Sequence, residues 1–569
     1  MDNQKAENLL NLAMDATPEE REKSPALSVG FNREEKRWEL IVKYNGDLNV
    51  ILDALPEIRA IPLSGGYAIM TVPESLIESL AGFSQVEYIE KPKRLYFSVN
   101  RGKSNSCINP LQEDGSGLTG RGVITAIIDS GIDYYHRDFR DAQGKSRILE
   151  LWDQDRDTVY TREQINEALE AGSRAAAYQI VPERDVSGHG TAVAGIAAGS
   201  GLEGDGRYRG IAWESDLIVV KLGVPAADSF PRTTEMMRAL DYVVNRAIFY
   251  QKPLAVNLSF GNTYGSHDGT SLLETYIDMM AGQGKTTVVA GTGNEGSTRG
   301  HTAGFLTEGH TDEIELSVDD YETGFGVQLW KLYVDSFDII LEGPGGTSVG
   351  PINSQLGSQR IRFARTTVLL YYGKPSPYSK AQEIYFDFIP RYDYVESGVW
   401  KIRLVARRII SGQYDFWLPS ENALNRATHF LRPTPDTTLT IPSTALRVIS
   451  VGAYNDSYQT YADFSGRGFT RLDNLIKPDL SAPGVNVMTS RAGGGYEPVT
   501  GTSFATPFVT GSAALLMQWG IVMGNDPFLY GEKLKAYLIR GARHLPGETV
   551  YPNPRLGWGT LCLAASLPV

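Results

Sequence analysis

The chain has 569 residues, of which 42% are hydrophobic and 21% are charged, an ordinary composition for a globular protein. Its formal net charge of −13 argues against a nucleic-acid or anionic-membrane partner, because such partners are bound through Lys and Arg. A chain of this length is expected to form about two to four domains. Cys107 and Cys562 lie far apart and are interpreted as packed free thiols, so no disulfide framework or cysteine-based metal site is predicted.

The first 99 residues predict an N-terminal arm followed by a small α+β domain. Residues 1–8 lack the basic start and apolar core of a secretory signal, no later segment looks long enough to cross a bilayer, and we expect the protein to stay inside the cell that makes it. Trp38, Leu40 and Val42 recur with period two, which is typical of a strand. Further elements follow in the order β-α-β-β-α-β, a two-layer arrangement whose last strand is predicted at residues 86–99.

After a linker rich in Gly, Ser and Asn at residues 100–120, the chain changes to an α/β pattern. Residues 123–128 are a continuous apolar run of the kind that a central parallel strand needs, and the run ends at Asp129. Similar runs alternate with helical stretches further along: 217–222, 254–260, 286–290 and 448–451. This alternation predicts a parallel sheet with helices on both faces, built from two parts of the chain, residues 100–309 and 433–569.

Residues 310–432 interrupt that alternation with many short strands. Ile314, Leu316 and Val318 alternate with polar residues, and later segments continue the pattern between Gly and Pro turns with no helical period. Such a pattern predicts an all-β domain of the jelly-roll type, inserted into a loop of the α/β domain.

Three short motifs lie where the α/β pattern places strand ends and helix starts. Asp129-Ser130-Gly131 follows the first apolar run, Ser187-Gly188-His189-Gly190-Thr191 precedes a helix of small residues, and residues 501–507 (Gly-Thr-Ser-Phe-Ala-Thr-Pro) begin a mostly apolar helix. A helix start favours negative charge, so an oxyanion beside Ser503 would be stabilised. Each motif also has an ordinary alternative: Gly-Thr-Ser is a common N-cap, and a lone His is more often a satisfied polar residue.

The chemistry requires these residue types together. A serine hydroxyl is a poor nucleophile until an imidazole takes its proton, and the imidazole needs a carboxylate to hold its tautomer. Gly293-Asn294-Glu295-Gly296 follows another predicted strand, where an amide can donate to an oxyanion, although the same residues also suit a simple turn.

Taken in order, the Asp, His, Asn and Ser motifs resemble those of the subtilisin-like serine proteases, the subtilases. The resemblance covers residues 115–305 and 437–562, and it implies a peptide-bond hydrolase with a catalytic triad. It implies one role for each matched residue: Asp129 orients the imidazole, His189 is base and acid, Ser503 is the nucleophile and Asn294 stabilises the oxyanion.

The same resemblance implies where a substrate lies. Ser259-Phe260-Gly261 resembles the strand that pairs with an extended substrate, and Gly291-Thr292 occupies the place of residues that line the pocket for the P1 side chain. No cofactor and no metal are predicted. Asp138 is the one residue considered as a calcium ligand, and a solvated loop carboxylate is the preferred interpretation.

The small domain at residues 36–99 resembles the family's propeptide, which chaperones folding and covers the cleft. With the jelly-roll insertion and no secretory signal, the whole chain resembles the Csp proteases of clostridial spores, which activate the precursor of a spore cortex hydrolase during germination. This resemblance implies location in the spore, self-cleavage between Arg94 and Arg101, and a cleaved propeptide that stays bound non-covalently.

Two other functions stay open. Some members of the Csp group lack triad residues and act as non-catalytic sensors or scaffolds, whereas this chain has all four groups, which favours the enzyme. A carbohydrate-binding role for the jelly roll rests on analogy of fold alone.

Overall fold

The computed structural model describes residues 5–15, 30–63, 66–91, 98–113, 117–223, 231–352, 357–472 and 475–567. The chain divides into two compact units, Met1–Tyr96 and Phe97–Val569. Each unit has hydrophobic core residues of its own, and the second contains both the α/β domain and the inserted β domain.

The N-terminal unit is a small sheet covered by short helices. Strand β2 lies centrally and pairs with β4 on one edge and with β1 and β5 on the other, all antiparallel. The predicted alternation at Trp38, Leu40 and Val42 is correct, since all three are buried in the core of this unit. The elements are α1 (Asn8–Asp15), β1 (Phe31–Asn32), β2 (Arg37–Tyr44), α2 (Asn49–Ala54), β3 (Arg59–Leu63), β4 (Tyr67–Pro73), α3 (Ile77–Gly82) and β5 (Val86–Glu90).

The segment after β5 differs from its prediction. The last strand ends at Glu90 rather than residue 99, and the predicted linker contains two helices, α4 (Ser98–Asn105) and α5 (Asn109–Glu113). Gly102 of α4 lies against the ring of Phe508, so closely that a Cβ atom there would come within 2.6 Å of it. Glycine and serine have weak helix propensity, and this tertiary contact explains why a helix forms where local sequence indicates a linker.

A nine-stranded sheet forms the centre of the second unit. Its order is β24-β23-β11-β10-β6-β9-β7-β8, with β25 also paired to β23, and all pairs are parallel except those that β24 and β8 make at the edges. The strands are β6 (Ile124–Asp129), β7 (Ile148–Asp153), β8 (Thr158–Thr161), β9 (Asp216–Lys221), β10 (Leu254–Leu258), β11 (Thr286–Gly291), β23 (Ile449–Asn455), β24 (Thr460–Tyr461) and β25 (Leu480–Pro483).

Helices cover both faces of this sheet, as the α/β pattern predicts. Residues of β6 alternate between two cores: Ile127 packs with the cluster containing α8 and α11, and Ile128 with the cluster containing α9 and α10. The helices, with the hairpin strands β26 and β27, are α6 (Arg162–Glu170), α7 (Arg174–Ile180), α8 (His189–Ala198), α9 (Thr233–Phe249), α10 (Leu272–Ala281), β26 (Val487–Ser490), β27 (Tyr496–Val499), α11 (Thr502–Met517), α12 (Gly531–Gly541) and α13 (Leu563–Ser566).

Helix α11 continues through a π-helical turn to Val522. Thr502–Val522 is long and apolar enough to cross a membrane by length and composition, but 83% of its most apolar window is buried inside the fold. Its apolar residues therefore belong to the core, where α11 contacts strands β10, β11 and β23.

The insertion folds into two antiparallel sheets that share one hydrophobic core. The six-stranded sheet has the order β12-β21-β14-β19-β18-β17, and the five-stranded sheet has the order β16-β15-β20-β13-β22. The strands are β12 (His301–Phe305), β13 (Thr311–Val318), β14 (Phe325–Leu332), β15 (Ser336–Glu342), β16 (Ser348–Ile352), β17 (Gly357–Arg362), β18 (Thr366–Tyr372), β19 (Ala381–Pro390), β20 (Gly398–Arg408), β21 (Gln413–Trp417) and β22 (His429–Phe430). The predicted inserted all-β domain is confirmed.

The two ends of the insertion meet. The amide of Thr434 donates to the carbonyl of His301 at 2.8 Å, so the chain leaves and returns at one place. There the indole of Trp417 stacks between two imidazoles, with ring centroids 4.2 Å from His267 and 4.6 Å from His301. This buried stack joins the sandwich to the loop that follows β10.

The interpretation of the cysteines as free thiols is wrong. Cys107 and Cys562 form a disulfide, with their Cα atoms 4.8 Å apart across a sequence separation of 455 residues. Backbone hydrogen bonds from Leu563 to Ser106 and from Ala564 to Cys107 hold the same two segments together. The start and the end of the second unit are therefore covalently joined.

We expect Cys107→Ser to lower the free energy of unfolding of the second unit by about 2–5 kcal/mol, because the cross-link restricts a long loop in the unfolded chain. Chemical denaturation followed by tryptophan fluorescence measures the change. Cys562→Ser and the double variant should lose the same amount, and a reducing agent should lower the wild type to their level without affecting them. Equal stability of wild type and variants under oxidising conditions would contradict the cross-link.

Candidate active site

Asp129 is the last residue of β6, at the carboxyl edge of the parallel sheet, where such folds place ligands. Its side chain is completely buried. One carboxylate oxygen, Oδ1, lies 2.7 Å from Nδ1 of His189 and also accepts the amide of Ser130 at 2.8 Å. Burial of a carboxylate is costly unless it is paired, so this site requires the imidazole.

His189 is the first residue of α8, and the glycines beside it permit its position. Gly188 has a φ of 77°, which favours glycine. A Cβ atom at Gly190 would lie 2.2 Å from the carbonyl oxygen of Gly131, so only glycine allows the helix to approach the Asp129 turn this closely. The motif glycines thus bring the imidazole to the carboxylate.

The imidazole of His189 is enclosed on two sides and open on a third. Its ring centroid lies 5.8 Å from that of Phe260 and 5.3 Å from that of Phe504, and 28% of its side chain is exposed. Burial lowers the pKa of His189, but the charge and hydrogen bond of Asp129 act in the opposite direction and leave the pKa above its ordinary value. The site therefore favours a basic imidazole.

Ser503 lies in the first turn of α11, next to these rings. Its hydroxyl donates to the carbonyl of Ser259 at 3.2 Å, and the hydroxyl of Ser259 donates to the carbonyl of Ser503 at 3.0 Å. Among the hydrogen bonds of the described residues there is none between Ser503 and His189. A rotation about the Cα–Cβ bond of Ser503 is needed to direct its hydroxyl to the imidazole.

Asn294 follows β11 and lies beside the start of α11. Its Oδ1 accepts the amide of Thr502 at 3.1 Å and the hydroxyl of Thr502 at 3.2 Å. The amide oxygen is thereby fixed, and the NH2 group is left as the donor. A Cβ atom at Gly501 would lie 3.6 Å from that nitrogen, so the glycine keeps the space in front of it open.

The predicted substrate-contact residues have different environments. Ser259, Phe260 and Gly261 follow β10 at the same edge of the sheet, and Phe260 and Gly261 line a cavity of about 790 Å³. Gly291 is the last residue of β11, whereas the side chain of Thr292 is completely buried and lies 3.4 Å from the hydroxyl of Ser465. In this conformation Thr292 can reach a substrate only through its backbone.

Asp138, considered from sequence as a solvated loop carboxylate, is in fact completely buried. It accepts hydrogen bonds from the hydroxyls of Ser490 and Tyr496 and from the amide of Glu203. Protein donors therefore satisfy it. Within the described ranges, no cluster of three or more His, Cys, Asp or Glu side chains has the arrangement of a metal site.

Sequence analysis did not identify Asp185, a buried carboxylate that ties the two triad loops together. Its Oδ1 accepts from the hydroxyl of Ser130 at 2.8 Å and the amide of Gly188 at 2.9 Å. Its Oδ2 accepts from the amide and hydroxyl of Thr191 at 2.8 and 2.6 Å. Ser130 in turn accepts the amide of Gly190 at 2.9 Å. The only sequence signal is an acidic residue four positions before His189.

Comparison with known proteins identifies the family. The model of the subtilase family matches residues 120–322 and 426–559, more than half of the chain. The chain belongs to the subtilase family. Residues 4–93 match the Csp protease B prodomain, so the N-terminal unit of this subtilase is a Csp-type prodomain.

Individual relatives agree with this assignment. The solved structure of the Clostridium perfringens CspB protease is 37% identical, with a TM-score of 0.78, and the match covers 82% of this subtilase and 96% of that chain. The minor extracellular protease Vpr of Bacillus subtilis is 24% identical over 493 residues, 80% of this subtilase. The PIII-type proteinase of Lactococcus lactis subsp. cremoris is 26% identical over 469 residues, 73% of this subtilase. The matches span 54% of Vpr and 23% of the lactococcal proteinase.

The resemblance to subtilases and its narrower form, to the Csp proteases, are both confirmed. The predicted subtilisin-like fold with an α+β prodomain is confirmed as well.

For this subtilase we expect Asp185→Asn to lower kcat about 10- to 100-fold, because small displacements of catalytic groups are costly, with KM nearly unchanged. The charge of Asp185 also contributes to raising the pKa of His189. A neutral imidazole is the active base, so the acid limb of the pH profile of kcat/KM should lie above pH 6.5 in the wild type and move to lower pH in the variant.

The matched control is Asp157→Asn, the same change at an exposed carboxylate that pairs with Arg238. It should alter neither kcat nor the pH profile. An Asp185→Asn enzyme with the acid limb of the wild type would show that this carboxylate has no electrostatic effect on His189.

Proposed function

We propose that this subtilase is a serine endopeptidase that activates a precursor protein by limited cleavage. The observation that carries the proposal is the 2.7 Å contact between Nδ1 of His189 and Oδ1 of Asp129, with Ser503 at the adjacent helix start. Asp129 accepts from Nδ1–H and so leaves Nε2 of His189 free to take a proton. That arrangement is the one which a serine nucleophile needs.

Each step of the reaction has a residue of this chain to perform it. His189 removes the hydroxyl proton of Ser503 as Oγ attacks the carbonyl carbon, and the imidazolium formed is stabilised by Asp129. The NH2 group of Asn294 and the backbone amide of Ser503 at the start of α11 donate to the oxyanion. His189 then gives the proton to the leaving amine, and water attacks the acyl group by the same route.

The substrate we propose is the precursor of a spore cortex hydrolase, cleaved during germination. The Csp-type prodomain and the similarity to a CspB protease over most of both chains support this proposal. We propose accordingly that the protein is incorporated in the spore. Its proposed partners are a protein substrate and its own propeptide. We also propose that the inserted domain has jelly-roll topology.

We also propose that the chain cleaves itself at a bond between Arg94 and Arg101. Residues 94–97 lie outside the described residues, and α4 begins at Ser98. Proteases bind their substrates as extended strands, so a cut within α4 would require its first turn to unwind. A cut at one of the bonds before Ser98 is therefore favoured. The released fragment is expected to stay bound through its folded sheet.

One observation favours the alternative of a vestigial, non-catalytic scaffold. The hydroxyl of Ser503 is directed at the carbonyl of Ser259, not at His189. Catalytic hydrogen bonds are often incomplete in a free enzyme and form with substrate, so this contact alone does not outweigh the complete set of groups. Covalent labelling of Ser503 distinguishes the two functions.

We expect a fluorophosphonate probe to label the wild type at Ser503 and Ser503→Ala to show neither labelling nor peptidase activity, a loss of several powers of ten. The wild type should run on denaturing gels as two pieces that co-elute under native conditions, with the new terminus, found by mass spectrometry, between residues 94 and 101. Ser503→Ala should remain one chain.

The matched control is Ser512→Ala, on the same helix, because the hydroxyl of Ser512 is buried without a hydrogen-bond partner among the described residues. It should keep both labelling and processing. Absence of labelling in a folded wild type would support the scaffold, and clipping of Ser503→Ala at the same bond would assign the cut to another protease.

A further inference from the structure

The outer face of the six-stranded sheet is covered at one end and free at the other. At the covered end, Gln328 of β14 accepts the amide of Gly265 at 3.0 Å, and Trp330 lies beneath the guanidinium of Arg471. Both partners belong to the α/β domain. Beyond β14, Tyr385 of β19 still meets Tyr264 of the α/β domain, whereas the outward side chains of β18 and β17 have no such cover among the described residues.

The free end carries aromatic, aliphatic and basic side chains on neighbouring strands. Leu369 of β18 lies opposite Arg360 of β17, and Thr367 lies opposite Arg362. Tyr371 and Ile389 are exposed on the same face, with 53% of Tyr371 accessible. We name this set the Tyr-Arg face and define it as Arg360, Arg362, Leu369, Tyr371 and Ile389.

The Tyr-Arg face is continuous with the predicted substrate cleft. Tyr385 of β19 lies opposite Tyr371, and its hydroxyl is a hydrogen-bonding neighbour of the hydroxyl of Tyr264. Tyr264 is itself 45% exposed and lines the 790 Å³ cavity together with Phe260 and Gly261. A chain of contacts therefore leads from the cavity at Phe260 and Gly261 through Tyr264 and Tyr385 to Tyr371.

The inserted domain also forms part of the cleft wall. Pro419 and Ala423, which follow β21, line the same cavity as Phe260 and Leu272. A substrate that extends past Gly261 consequently contacts the insertion as well as the α/β domain. The insertion is therefore placed to influence which substrates bind.

The charge of the Tyr-Arg face is opposite to that of the chain. Arg360, Arg362 and the nearby Arg365 are exposed, and no ion pair joins any of them to a carboxylate of the described residues. The chain as a whole has a net charge of −13. Asp387 is the carboxylate closest in register, opposite Leu369, and burial raises its pKa.

We propose that the Tyr-Arg face is a secondary binding surface for the protein substrate, which takes an acidic, extended segment upstream of the scissile bond. The proposal rests on the endopeptidase function above. A substrate that runs antiparallel to Ser259–Gly261 directs its upstream residues past Gly261 to Tyr264 and then across Tyr385 and Tyr371. The tyrosines contact its apolar groups and the arginines pair with its carboxylates.

The spacing sets the length of that segment. Neighbouring strands are about 4.8 Å apart, so the path from β19 to β17 is about 10 Å, or about three extended residues. About four substrate residues upstream of the cut lie in the cleft, and about three more lie beside Tyr264. The acidic residues of the substrate are therefore expected about 8 to 12 positions upstream of the cut. Binding so far from the reacting atoms strengthens substrate and transition state equally, so it lowers KM and leaves kcat unchanged.

The test compares two peptides cleaved by the self-processed enzyme, in a preparation whose Ser503 is accessible to a fluorophosphonate. Both contain the sequence of residues 90–104 around the predicted processing site, and one carries an upstream extension of four Glu residues spaced by Gly and Ser. For the wild type we expect about a tenfold lower KM for the acidic peptide at low salt, an equal kcat, and loss of the difference in about 0.5 M NaCl.

Arg360→Glu with Arg362→Glu should abolish this preference and leave cleavage of the short peptide unchanged. The matched control is Arg408→Glu with Arg540→Glu, the same charge change at two exposed arginines outside the Tyr-Arg face, which should retain the preference. A Lys extension should reverse the result: the Glu variant should bind it more tightly than the wild type does.

Each outcome has one reading. Equal KM values for the two peptides in an active wild type would overturn the proposal, as would an equal loss in the control variant. If a Glu extension lowered KM only when it was attached downstream of the cut, the acidic segment would bind elsewhere than on the Tyr-Arg face, and the proposal would be wrong. If neither peptide is cleaved by folded, fluorophosphonate-labelled protein, the peptide sequence is wrong and the comparison is made on the full-length Ser503→Ala chain as substrate. No labelling at all would reject the endopeptidase function itself.

Discussion

The hydrogen bond between Asp129 and His189 is the interaction on which the rest of the site depends. A fully buried carboxylate is unfavourable alone, and here it is compensated by one imidazole and one backbone amide. The two loops can approach this closely because Gly190, which has no Cβ atom, lies against the carbonyl oxygen of Gly131. Asp185 accepts hydrogen bonds from both loops and so holds them together. The carboxylate network thus fixes the distance that catalysis needs.

Features encoded by short local patterns could be predicted from the sequence, and features that depend on distant contacts could not. The apolar run that ends at Asp129 and the alternation that starts at Trp38 each identify a strand from neighbouring residues alone. The Cys107–Cys562 bond joins positions 455 residues apart, and α4 owes its helix to Phe508, so neither has a local signal. Strand β12 (His301–Phe305) lies before residue 310, where the alternation of apolar and polar residues becomes regular, so the sequence does not predict it.

The insertion is accommodated because it enters and leaves at one point. Thr434 bonds to His301 there, and Trp417 stacks between His267 and His301 at the same junction. A domain attached in this way does not disturb the parallel strands that position the catalytic groups. It does, however, bring new side chains to the edge of the cleft, which the parent fold alone could not supply.

The proposed contact with the Tyr-Arg face would make cleavage more selective than the cleft alone. A single apolar pocket discriminates between related side chains by only about 1–3 kcal/mol, which is little when many proteins offer similar bonds. A second contact on the same polypeptide adds its free energy to the first at a high effective concentration, because the segment is already tethered in the cleft. Exposed arginines on an acidic protein suit the proposed role, because they attract substrates whose upstream segments carry the opposite charge.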